Sequence, residues 1–118
     1  MQGLQQAIMR RPPRGNGTGE RGENFTTPIV AASTTNVAVL PTGAPTSGGC
    51  WVTFKATVDC FIRWGRAASP TVAAATTSDY PLTADQEEEF WITFPDDANF
   101  SVIRETADGT LNRFRSDG

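Results

Sequence analysis

Hydrophobic positions recur with two rhythms along this chain, and the rhythm changes near Phe25. In the first stretch Met1, Leu4 and Ile8 fall at i, i+3 and i+7, the spacing of an apolar stripe on a helix, so residues 2–11 are expected to form a short amphipathic helix. A helix of that length is unstable alone in water and needs a partner surface. Pro12 and Pro13 end it, and residues 12–27, with Gly15, Gly17, Gly19 and Gly22, read as a linker.

Beyond the linker the period is two. A short edge strand is expected at 28–32, and a second at 35–40, where Val37 and Val39 alternate with Asn36 and Ala38. A Pro/Gly/Ser loop fills 41–49. The strongest pair is 51–56 and 58–64. Val52 and Phe54 oppose Trp51, Thr53 and Lys55 in the first, while Cys60, Ile62 and Trp64 oppose Asp59, Phe61 and Arg63 in the second. A short turn at Thr57 predicts that these two form a hairpin. A weak strand is expected at 71–75. Phe90, Ile92 and Phe94 share one face of 88–94, residues 95–98 form a turn, and Phe100, Val102 and Arg104 alternate with Ser101 and Ile103. Asp108-Gly109 signals another hairpin before a last strand at 110–115.

About six to eight short strands at such spacing predict an all-β fold, a small antiparallel β-sandwich or barrel. Residues 1–27 are then an extended N-terminal arm and 28–118 the sandwich domain. Its expected core is Val52, Phe54, Ile62, Phe90, Ile92, Phe94, Val102 and Leu111.

Charge separates the same two parts. Residues 1–23 carry Arg10, Arg11, Arg14 and Arg21 against Glu20 and Glu23, whereas residues 24–118 carry six basic and eleven acidic groups. An acidic body is repelled by nucleic acid, whose affinity for proteins comes largely from phosphate neutralisation, and suits a basic protein surface. Four arginines without interleaved aromatics are a weak nucleic-acid signal, and linker solvation or contact with acidic protein surfaces is the favoured reading. No apolar run has the length of a signal peptide or a membrane span, so neither is expected. Two cysteines in 118 residues fit a reducing compartment.

Candidate chemistry is sparse. There is no histidine, and Cys50 and Cys60 therefore lack the usual partner for thiolate activation. Buried inert thiols are expected, with a disulfide as the alternative. Asp85, Glu87, Glu88 and Glu89, with Asp96 and Asp97, lack the alternation and turn glycine of a calcium loop. They read as a solvated strand entry or as a docking patch for a basic neighbour. Gly15, Gly17 and Gly19 lack the lysine and hydroxyl residue of a phosphate-binding loop. No catalytic residue, metal ligand or cofactor is assigned, and an enzyme is not expected.

Four phrases occur in order: DCFIRWG at 59–65, TTSDYP at 76–81, EFWITF at 89–94 and GTL at 109–111. Together they resemble small β-sandwich proteins encoded among the virion genes of tailed bacteriophages, over about half of the chain. The resemblance implies a virion structural role, most commonly head decoration (cement) on the outer capsid face. The partner would be the major capsid protein, with self-association as a trimer or another oligomer on the capsid, and without nucleic acid or membrane. The protein would reside on the capsid surface, and in the host cytoplasm during assembly. The arm, a departure from simpler members, would supply contacts through Leu4, Ile8, Arg10, Arg11 and Arg14. An extended arm of 25 residues reaches on the order of 80 Å, enough to bridge neighbouring subunits. On the body, Trp51, Lys55, Glu87 and Glu88 are the candidate contacts, since Trp is enriched at interfaces. The alternatives are a neck, tail or fibre-base adaptor, and a receptor- or glycan-binding module with Trp51, Trp91 or Tyr80 as a stacking platform.

Overall fold

The computed structural model describes residues 22–116. Eight strands form in chain order: β1 (Phe25–Ile29), β2 (Val37–Ala38), β3 (Gly48–Ala56), β4 (Cys60–Gly65), β5 (Tyr80–Leu82), β6 (Glu87–Phe94), β7 (Asn99–Arg104) and β8 (Gly109–Arg115). They make two four-stranded antiparallel sheets. Sheet A has the order β1-β8-β3-β6, and sheet B the order β2-β7-β4-β5. The fold is an all-β sandwich without an α-helix among the described residues. The first strand begins at Phe25, three residues ahead of the expected domain start. The expected helix over 2–11 lies outside the described residues.

Alternation sets the inner faces. Val52 and Phe54 of β3 and Phe90, Ile92 and Phe94 of β6 face Ile62 of β4 and Phe100 and Val102 of β7 across the core, joined by Leu111, and all are buried. Phe54 sits at the centre. Its ring meets Trp64 edge-on at 5.6 Å, Phe90 at 5.9 Å and Phe100 at 6.3 Å, the offset and edge-to-face geometries that aromatic quadrupoles prefer.

Both expected hairpins are absent. β3 lies in sheet A and β4 in sheet B, and β7 and β8 are likewise split between the sheets. The chain turns through 57–59 as an arch over the sandwich end. Two-residue hairpin turns need residues with positive φ, whereas Thr57 and Val58 are β-branched. Each leg of the arch instead extends its own sheet: Thr57 N–H donates to Thr110 O at 2.9 Å beyond the β3–β8 pairing, and Glu105 N–H donates to Asp59 O at 3.1 Å beyond the β4–β7 pairing. Gly109 has a reason other than turn conformation. A Cβ there would lie 2.6 Å from both Thr57 Oγ1 and Val58 Cγ2, so the glycine admits the arch against β8.

The expected strand at 71–75 is also absent. Residues 66–79 instead lie over the outward side of sheet B. Val72 packs on Gly65, and Ala75 N–H donates to Ser33 Oγ at 2.8 Å. An Arg63–Asp79 ion pair at 3.0 Å closes the segment. Val72 and Ala75 are buried there, outside the main core.

Arg113 is the largest fully buried side chain, 2% exposed. It follows Leu111 on the inward side of β8. Its Nε donates to Val39 O at 2.9 Å, Nη2 to Ala38 O at 2.9 Å and Nη1 to Thr27 Oγ1 at 2.8 Å. The guanidinium carbon lies 4.8 Å from the Phe100 ring centroid. One side chain therefore ties β8 and β1 of sheet A to β2 and β7 of sheet B.

Arg113→Met is expected to destabilise the fold by about 2–4 kcal/mol. Each acceptor left unpaired costs about 1–3 kcal/mol, and removal of a buried charge offsets part of that. Arg113→Lys should lose nearly as much, because one ammonium cannot reproduce the planar fork. Urea midpoints at constant slope measure both effects; unchanged midpoints would show that the clamp contributes nothing.

Candidate interaction surface

The outward side of sheet A is built by the same alternation that builds the core. Trp51, Thr53 and Lys55 on β3 are out of phase with Val52 and Phe54, and Glu87, Glu89 and Trp91 on β6 are out of phase with Phe90 and Ile92. Register places Trp51 opposite Trp91, Thr53 opposite Glu89 and Lys55 opposite Glu87. On the other flank of β3, Thr53 faces Phe114 and Lys55 faces Asn112.

The two tryptophans form a unit. Their ring centroids are 5.1 Å apart at 66°. The Trp91 indole lies across Gly49, where a Cβ would fall 2.6 Å from Cζ2, so the absence of a side chain at position 49 seats the ring. Cross-strand aromatic pairs of this kind contribute roughly 0.2–1 kcal/mol to a sheet. Next to the pair, Ser116 N–H donates to Trp51 O at 2.8 Å, and Ser116 Oγ donates to Glu89. Thr53 and Phe114 point away from the core yet are only 6% and 8% exposed.

The structure thus brings Trp51, Lys55 and Glu87 onto one face, and it separates Glu88 from them. Glu88 lies on the inward phase of β6, and its Oε1 accepts a hydrogen bond from Tyr80 Oη at 3.1 Å, linking edge strand β6 of sheet A to edge strand β5 of sheet B. Tyr80 itself packs inward on Trp64 and Phe90 at 6.1 and 5.5 Å, so it does not share a platform with Trp51 and Trp91. Leu4, Ile8, Arg10, Arg11 and Arg14 lie outside the described residues. Trp91, named beforehand only as an alternative stacking platform, joins the face opposite Trp51, and Phe114 joins it unforeseen beside Thr53. Their phase was legible in the alternation, but the register that unites them was not.

The remaining acidic residues are dispersed. Asp97 accepts from Thr93 Oγ1 at 2.7 Å, and Asp96 pairs with Arg66 at 3.3 Å. Among the described residues no group of three or more potential metal ligands gathers. No protein-family model, curated protein or solved structure matches this chain.

Cys50 and Cys60 are buried thiols, one in each sheet, and are not joined in a disulfide. Burial, with Asp59 adding to it, pushes the Cys60 thiol from 9.0 up to about 12. Neither thiol is expected to react with a disulfide reagent in the native protein at pH 8, and both should react after denaturation; rapid native labelling would contradict the packing. The unfolded chain releases the Cys60 proton near pH 9 and the folded chain near 12. Cys60 therefore contributes stability that is full below pH 9 and declines as pH rises toward 12. A Cys60→Ala variant should show a shallower loss of stability across that window.

Proposed function

We propose that this chain is a non-enzymatic structural protein of a tailed-bacteriophage virion, a capsid decoration (cement) protein. It binds the outer head surface and bridges neighbouring major capsid protein subunits through its N-terminal arm. The observation that carries this reading is the tether of the arm. Gly22 N–H donates to Arg115 O at 2.8 Å, so the chain enters the sandwich at the rim of sheet A, one strand from Trp51. Twenty-one residues span up to about 70 Å when extended, and many weak contacts repeated around a shell add by avidity. The ordered phrases at 59–65, 76–81, 89–94 and 109–111 support the same family of roles. They fall on β4, on the approach to β5, on β6 and on β8. In this reading Trp51, Lys55 and Glu87 contact the shell or a neighbouring copy, and the protein resides on the capsid surface.

Quantitative mass spectrometry of purified particles tests the reading. One copy per major capsid subunit, or a simple fraction of one, is expected. A count of about a dozen or fewer would instead place the protein in a ring of the neck or tail. Added back to heads stripped of it, the full chain should bind, and Arg10→Glu/Arg11→Glu/Arg14→Glu should bind at least tenfold more weakly. Equal binding by both would remove the arm from the contact.

A further inference from the structure

We propose that the outward face of sheet A is the docking surface for the chain's own residues 1–21. This concerns the free protein and does not rest on the virion reading.

Burial is the first argument. Phe114 is 8% exposed and lies outside the core cluster, and Thr53 beside it is 6% exposed. Phe114, Trp51 and Trp91 make an apolar outward face of the kind that this chain covers on sheet B, where residues 66–79 lie over β4 and bury Val72 and Ala75. Residues 1–21 are a stretch of comparable length.

Position is the second. The chain joins the sandwich where Gly22 bonds to Arg115 and Ser116 bonds to Trp51, one strand away from the tryptophan pair. Crossing from β8 to β6 takes two strand spacings, about 10 Å, and the run from Trp91 back to Glu87 about 13 Å. The eight residue-to-residue steps from Gly22 back to Arg14 extend up to about 28 Å, so the whole face is within reach.

Chemistry is the third. The face presents Trp51, Trp91 and Phe114 with Glu87 and Glu89 against Lys55. The segment offers Met1, Leu4 and Ile8, with Arg10, Arg11, Arg14 and Arg21 against Glu20. Apolar residues meet apolar residues, and the surplus charges are opposite in sign.

The test uses the full-length chain and the indole N–H signals of its three tryptophans in ¹⁵N-labelled protein. Two full-length variants are compared with it, Leu4→Asp/Ile8→Asp and Arg10→Glu/Arg11→Glu/Arg14→Glu. The expected result is that the Trp51 and Trp91 signals shift in both variants while Trp64, in the core, stays in place and reports an intact sandwich. Shifts independent of protein concentration, with a monomeric mass by light scattering, support docking within one chain. Stationary Trp51 and Trp91 signals in both variants would overturn the proposal. So would shifts that grow with concentration alongside a doubled mass, which would assign the face to the arm of a second copy. Failure to bind heads would leave this result intact, and the reverse also holds.

Discussion

The guanidinium of Arg113, whose partners are two carbonyls, a hydroxyl and an aromatic face, holds one corner of the two sheets together. The strand it secures is short. β2 has two residues, and the buried Val39 and Leu40 that follow it close the sandwich end. Besides the β2–β7 pairing, Val39 N–H donates to Ala98 O at 2.9 Å. The carbonyls of Ala38 and Val39 point toward sheet A, where no strand can pair with them, and Arg113 supplies both donors. Hydrogen bonds to a charged group are worth about 1.5–3 kcal/mol each, and a desolvated cation over an aromatic ring adds about 2 kcal/mol. Burial works against the charge and pulls the Arg113 pKa from 12.5 down to about 10, so the group keeps its proton at neutral pH.

That clamp matters because the chain holds its sheets together by crossing between them. Among the described residues, six of the seven strand connections pass from one sheet to the other, and only β4 and β5 are neighbours both in sequence and in a sheet. Sheet A is therefore assembled entirely from non-local pairings, which must close long loops before the contacts form. The same crossing decides the surface. Trp51, Trp91 and Phe114 come from three strands separated by tens of residues, and no local motif could have announced their meeting.

Period-two alternation carries side-chain direction, and direction was legible. Val52, Phe54, Ile62, Phe90, Ile92, Phe94, Val102 and Leu111 were expected inside and are buried. Pairing was not legible, because alternation is the same whether the next strand lies beside its predecessor or across the core from it. Ala56-Thr57-Val58-Asp59 looks like a hairpin by length, yet its β-branched pair lacks the positive φ that a tight hairpin requires. Asp108-Gly109 carries the hairpin signal, but its glycine serves close approach to Thr57 and Val58. Charge misled in the same way. Arg113 sits in phase with Leu111, and Glu88 in phase with Phe90. Their inward roles become visible only when Ala38, Val39 and Tyr80 arrive from elsewhere in the chain.

The two outward faces differ in a way that bears on assembly. The cover of sheet B, residues 66–79, is joined at both ends to β4 and β5, which keeps it on its own body. A cover of sheet A by residues 1–21 would be held to the sandwich strands at Gly22. Such a segment makes the same contacts on its own body or on a neighbour's, so moving between them costs little beyond the change in tether length and local concentration. Dilute protein favours the contact within one chain. A shell that holds neighbouring bodies a few tens of ångströms apart raises the local concentration of the other site and makes exchange competitive. Leu4, Ile8 and the three arginines would then serve one surface in both states, and bridging would need no second recognition site on the sandwich.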